Sequence, residues 1–246
     1  MSHLRFGLVG HPLEHSFSRN FFSQKFEKEG LDCSFFNFDT VCLEEWYDFI
    51  MRNKDIKGFT VTYPFKHDIM QYLDNLDASA SSVGAVNVIR RYEDDTLSGF
   101  NTDVIGFETL MTEAIKGKNI NHALILGSGG ASKAVQYVLK KYSISFAVVS
   151  RDRKNGDMSY NELMLNGFDN YCLIIQATPV GMFPDVGNTL PLPYHSIKNN
   201  DVFIDLIYNP EKTVFLSEAE KRGASIHNGL KMLYSQAESA WEIWTR

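Results

Sequence analysis

The chain has 246 residues, 44% of them hydrophobic and 22% charged, an ordinary globular balance that excludes a fibrous or low-complexity protein. Its formal net charge of −6 argues against a nucleic-acid partner, because binding the phosphate backbone needs a basic face. Cys33, Cys42 and Cys172 stand outside any C-x-x-C spacing, so neither a disulfide framework nor a zinc site is expected, and a reducing cytoplasm fits.

Strand and helix patterns alternate from the start: "LRFGLVG" strand, "SRNFFSQKFEKEG" helix ending at Gly30, "SFFNFDT" strand, "LEEWYDFIMRN" helix, then the strand "GFTVTY". That alternation predicts a mostly parallel sheet with helices on its faces. Asp94-Asp95 reads as a hairpin turn between "AVNVIRRY" and "TLSGFNTD", which adds an antiparallel strand. From about Asp103 the pattern restarts with the helix "VIGFETLMTEAI", the strand "ALILG", the helix "ASKAVQYVLKKY" and the strands "SFAVVS", "CLIIQAT" and "DVFIDLIY". A further helix is expected near "VFLSEAEKRG". The last segment carries Leu230, Leu233, Ala237, Ala240, Trp241 and Trp244 at helical spacing, a core-facing stripe. Apolar runs such as Leu124–Leu126 are far shorter than the roughly 18 residues of a membrane helix, and the N-terminus shows no secretion signal.

"LILGSGGASKA" lies where a strand meets a helix. Gly127 and Gly129 would supply the tight turn, and the helix start would offer N–H groups to a phosphate. The third glycine position holds Ser132, with Gly130 able to share its role. The next strand ends at Ser150 where NAD sites carry an acid, and Arg151, Asp152, Arg153 and Lys154 follow. This basic cluster suits the 2′-phosphate of NADP, with Asp152 opposing it.

Hydride transfer to a carbonyl also needs a proton donor, and Lys66 and Asp103 are the candidates, each following a strand and preceding a helical pattern. Lys66 comes just after Pro64, a residue that ends a strand at a rim. Ser16 and Ser18, two apart, would point the same way in an extended segment and hold a carboxylate; equally, Ser18 would cap the following helix.

Together these motifs resemble the shikimate dehydrogenases of aromatic biosynthesis. The resemblance runs through "GHPLEHSFS", "TVTYPFK", "GAVNV", "GFNTDVIG", "GSGGAS", "ATPVGM", "DLIYNPEKT" and "GLKMLYSQA". It implies two α/β domains, a substrate-binding catalytic one (1–102 and 228–246) and a Rossmann-type NADP-binding one (103–227), with the C-terminal helix returning to the first. It implies Lys66 and Asp103 as the catalytic pair, and Ser16, Ser18, Thr62, Asn87, Tyr208 and Gln236 as holding shikimate. Gly127, Gly129, Gly130, Ala131, Arg151, Arg153, Met182 and Gly229 fall at cofactor positions. The expected activity is NADP-dependent reduction of 3-dehydroshikimate. Quinate or dual quinate/shikimate dehydrogenase is the alternative, and a non-catalytic nucleotide-binding regulator a more distant one. A small-molecule substrate, no nucleic-acid or membrane partner, and a monomer or homodimer complete the expectation. Arg19, Phe22-Ser23, Thr60, Gln176 and "SRDRK" depart from the family's usual residues.

Overall fold

The computed structural model describes residues 3–13 and 16–246. They form two units, one running up to Thr102 and completed by Gln236–Arg246, the other Asp103–Ser235.

The first unit contains β1 (Leu4–Gly10), α1 (Phe17–Glu29), β2 (Cys33–Asp39), α2 (Leu43–Arg52), β3 (Ile56–Val61), β4 (Asn75–Leu76), α3 (Ala78–Val83), β5 (Val88–Arg91) and β6 (Leu97–Phe100). The sheet order is β2-β1-β3-β5-β6-β4. β5 runs antiparallel to both β3 and β6. The hairpin expected at Asp94-Asp95 is present: Tyr92 N–H donates to Thr96 O (3.0 Å) and Asp95 takes a left-handed φ of 67°. Leu43, Trp46 and Ile50 form the buried stripe of α2. Phe22 and Phe26 do the same for α1, four residues apart as a helical face requires.

The second unit takes up α4 (Thr102–Ala114), which starts on the last residue of the first, then β7 (His122–Leu126), α5 (Gly130–Lys141), β8 (Ser145–Val149), α6 (Tyr160–Asn166), β9 (Leu173–Gln176), β10 (Val202–Asp205), α7 (Val214–Glu220), β11 (Ser225–His227) and α8 (Leu230–Thr245). Its sheet, β11-β10-β9-β7-β8, pairs in parallel throughout. Helices on both faces explain why Leu124, Ile125, Leu126, Leu173, Ile174 and Ile175 are all fully buried. From β7 the chain goes to β8 on one side, and β9 and β10 lie on the other. This is the strand reversal of a doubly wound, Rossmann-type sheet, and ligands of such sheets bind at the strand ends beside it.

The end of α8 belongs to the first unit. Ala237, Ala240, Ile243 and Trp244 share a core cluster with Phe6, Phe22 and Phe26, and Trp244 Nε1 donates to Ile89 O (2.9 Å). Leu230, expected on that stripe, is 41% exposed. Among the described residues no helix is long and apolar enough to cross a membrane.

Candidate functional site

In the second unit, Gly127 follows β7 with φ 108°, and a Cβ there would lie 2.7 Å from Thr178 Cγ2, so both conformation and space require glycine. Gly129 caps α5 and Gly130 is its first residue. Neither has a positive φ, and a Cβ on either would meet nothing within 4 Å. Nothing inside the protein demands glycine at these two positions. What their bareness does is leave the first N–H groups of α5 open to close approach, as a phosphate needs. Ala131 is exposed beside them, whereas Ser132 is fully buried and its Oγ accepts from Gln136 Nε2 (3.1 Å), so the third fingerprint position packs as a satisfied polar residue.

A cavity of about 450 Å³ opens here, bounded by the loops after β7, β8 and β9. Ser150 and Ser128 hydroxyls meet across it at 3.0 Å. Arg151 is exposed on its rim. Asp152 accepts from Lys154 N–H (3.0 Å) and Asn155 Nδ2 (3.3 Å), capping the short turn Arg153–Asn155. Arg153, expected from the sequence as a second phosphate cation, donates to Gly156 O (2.9 Å) and pairs with Glu162 (3.2 Å). Glu162, held in a capping box with Ser159 at the start of α6, sets the guanidinium against the turn. Tyr160 of α6 also lines the cavity; burial pushes its phenol up to about 12, so it is neutral near pH 7. These residues fit a dinucleotide with a 2′-phosphate: bare helix N–H groups for the pyrophosphate, and Arg151 for the extra charge.

The loop after β10 carries Tyr208, which is 40% exposed. Its base is Asp205, fully buried, which accepts from Thr213 Oγ1 (2.6 Å), Gln176 Nε2 (2.8 Å) and Ile207 N–H (3.0 Å). Gly229 donates its N–H to Ile207 O (2.9 Å), and a Cβ there would run into the Leu206 carbonyl. Met182 sits half-exposed in the loop after β9, its N–H donating to Pro179 O (3.1 Å).

Burial raises the Asp205 carboxyl from 3.8 to about 6, outweighing the hydrogen bonds that pull it down. The folded state then binds this proton more tightly than the unfolded chain. The residue's contribution is therefore most favourable below about pH 4 and declines as pH rises to about 6, by at most roughly 3 kcal/mol. Relative to Asp205→Asn, which does not titrate, the wild type should lose stability between about pH 4 and about pH 6.5 in parallel unfolding curves. A pH-independent difference between the two proteins would show that the carboxyl does not titrate there.

In the first unit the candidate residues gather at one rim of the sheet. The ends of β1 and β3 lie side by side, with Thr62 N–H donating to Val9 O (3.0 Å) and His11 N–H to Tyr63 O (3.0 Å). Phe65, 6% exposed, anchors the turn after β3, and Lys66 follows it, half-buried, its carbonyl accepting from Val86 N–H (2.7 Å). The next residue, Asn87, is buried. Its Oδ1 accepts from Thr102 N–H (2.7 Å), while Nδ2 donates to Thr102 Oγ1 (3.1 Å) and Gln236 Oε1 (3.4 Å). Asp103, 9% exposed, lies in the first turn of α4 and is the first residue of the second unit.

The serine pair differs from both readings of the sequence. Ser16 is the N-cap of α1, accepting from Arg19 N–H (3.1 Å), and Ser18 is the second residue of the helix. Ser16 alone keeps an extended backbone, so the two hydroxyls are not presented together from one extended segment; both residues are half-buried.

Compared with known proteins, residues 8–89 match the profile of the shikimate dehydrogenase substrate binding domain. A shikimate dehydrogenase (NADP(+)) of Methanococcus maripaludis is 38% identical over 259 residues, spanning 97% of this chain and 91% of that protein. The crystal structure of shikimate 5-dehydrogenase from Thermus thermophilus with NADP(H) and shikimate is 31% identical, with a TM-score of 0.85 over 98% of this chain and 93% of its own. A shikimate 5-dehydrogenase from Listeria monocytogenes, solved with shikimate and NAD, is 28% identical with a TM-score of 0.87, covering 98% of this chain and 91% of its own.

Proposed function

The chain belongs to the shikimate dehydrogenase family, and from that premise we propose that it reversibly reduces 3-dehydroshikimate to shikimate with NADP(H) in aromatic amino-acid biosynthesis. The observation that carries this reading is similarity along nearly the whole chain, at 38% identity over 97% of it. The glycine-bared start of α5 beside the exposed Arg151 supports the cofactor part independently.

Lys66 and Asp103 are the proposed catalytic residues. In the reducing direction the Lys66 ammonium donates a proton to the carbonyl oxygen as it becomes a hydroxyl, and in the oxidising direction the amine accepts it. Ser16, Ser18, Thr62, Asn87, Tyr208 and Gln236 are the proposed substrate positions. Gly127, Gly129, Gly130, Ala131, Arg151, Arg153, Met182 and Gly229 are those for NADP, with Arg151 the cation that lines the cavity. When bound, the nicotinamide supplies or takes up the hydride. Residues 1–102 and 228–246 would serve the substrate and 103–227 the nucleotide, in a cytoplasmic monomer or homodimer.

Initial rates with shikimate and quinate, each with NADP and NAD, test the reading. Shikimate with NADP should give the highest kcat/KM. Quinate turnover matching that of shikimate would make the protein a dual dehydrogenase, and no turnover of either acid would leave a nucleotide-binding protein without this activity.

A further inference from the structure

We infer that Thr102 is a positioning residue for the proposed reaction, locking the Asn87 carboxamide and the start of α4 to one another. Thr102 is 1% exposed, and both of its polar groups near Asn87 are used on that one side chain. Its N–H donates to Asn87 Oδ1 (2.7 Å), and its Oγ1 accepts from Asn87 Nδ2 (3.1 Å). The backbone N–H selects the orientation of the carboxamide, since only Oδ1 can accept there, while the hydroxyl, 3.1 Å from Nδ2 and 3.3 Å from Oδ1, can accept from one and donate to the other and so holds the amide in place.

Two consequences follow from that orientation. The remaining Nδ2 hydrogen of Asn87 is turned toward Gln236, whose Oε1 lies at a long 3.4 Å. Within the first unit, this is the weakest bond the amide makes, and the one that a ligand hydroxyl would exchange most readily. Asn87 itself is fixed through its backbone on both sides: its N–H donates to Phe100 O (3.0 Å) and its carbonyl accepts from Val61 N–H (2.8 Å). The clasp therefore ties Thr102 to a rigid strand junction rather than to a mobile side chain. The residue that follows Thr102 in the chain is Asp103, in the first turn of α4, so the proposed catalytic carboxylate is joined directly to the clasped residue. Asn101 reinforces the same point, its Nδ2 donating to Ala85 O (2.9 Å). Thr102 is not among the residues that line the nucleotide cavity, which run from Gly127 to Leu190.

The inference rests on the roles proposed for Asn87 and Asp103, so those are tested alongside it. Thr102→Ser keeps the hydroxyl and the N–H, whereas Thr102→Val keeps the shape and loses the acceptor. We expect the valine variant to lose about tenfold or more in kcat/KM for shikimate, through both kcat and KM. NADP affinity, measured by fluorescence titration of the protein without substrate, should stay within about twofold. The serine variant should stay within about threefold of wild type on every readout. Should the valine variant fail to fold, Thr102→Ala removes the same oxygen and carries the same test. A valine or alanine variant that matches wild type with shikimate overturns the inference, as does a loss that serine does not rescue or one equally large in NADP affinity. Asn87→Ala and Asp103→Asn, assayed in parallel, separate the causes. If both lose activity while Thr102→Val does not, the positioning role alone fails; if both remain at wild-type rates, the roles beneath it fail as well.

Discussion

Lys66→Ala should lower kcat by roughly 10²–10⁴-fold, the usual contribution of a positioned general acid–base group, while shikimate KM changes by less than about tenfold. The turn that carries Lys66 is held by its backbone: the Lys66 carbonyl accepts from Val86 N–H at 2.7 Å, and Phe65 is buried beside it. Removing the side chain leaves both in place, so the variant should fold normally and lose chemistry rather than structure. In the proposed role the ammonium matters most as charge develops on the reacting oxygen, which is why the loss should appear in kcat before KM. Lys66→Arg should fail almost as badly, since a guanidinium keeps its charge but does not give up a proton at working pH. Single-turnover rates with shikimate and NADP would check this. A Lys66→Ala enzyme retaining more than about half of the wild-type kcat would remove Lys66 from the proton transfer.

That the rim position of Lys66 is legible in the sequence, and the pairing of Arg153 is not, has a physical reason. Lys66 follows a β-strand and a proline within a few residues, so local chemistry alone puts it at a strand rim. The same holds for Gly127 to Gly130 between β7 and α5, and for the Asp94-Asp95 turn. Arg153 is different. Its partner Glu162 sits on α6, a seven-residue helix too short to show an apolar period. A signal for α6 does exist, the Ser159-x-x-Glu162 capping box, and it places a carboxylate within reach of the arginine. The serine pair is ambiguous for a related reason: Arg19 rather than an acid stands at the third helical position, so no capping box distinguishes Ser16 from Ser18 as the cap. Asp205 and Thr102 lie beyond local reading altogether. The side chains that satisfy Asp205 come from β9 and from the cap of α7, and Thr102 closes on a residue fifteen positions earlier through a sheet pairing. Such networks are fixed by tertiary packing, which periodicity does not report.

Cofactor choice turns on the segment where the family resemblance is thinnest, and of its cations Arg151 is the one that lines the nucleotide cavity. Asp152 has its carboxylate tied to Lys154 N–H and Asn155 Nδ2, and Arg153 is tied to Glu162 and Gly156. Arg151 is left on the cavity rim with Lys154 exposed nearby. Ser150 occupies the place where an NAD site presents an acid to the ribose hydroxyls, and its hydroxyl is paired with Ser128. A charge-assisted hydrogen bond from Arg151 to a 2′-phosphate contributes about 1.5–3 kcal/mol, which is at least tenfold in affinity. Arg151→Ala should accordingly raise KM for NADP by about tenfold or more and leave KM for NAD within about threefold. Arg153→Ala should move neither by more than about threefold, because its ion pair is exposed and braces the turn at a value of at most about 1 kcal/mol. Asp152→Ala should leave or improve NADP use, since it removes a like charge from the rim. Steady-state rates with both cofactors on the three variants decide the matter: equal kcat/KM for NADP and NAD in the wild type, or an Arg153→Ala loss as large as that of Arg151→Ala, would mean that this turn recognises the phosphate in another way.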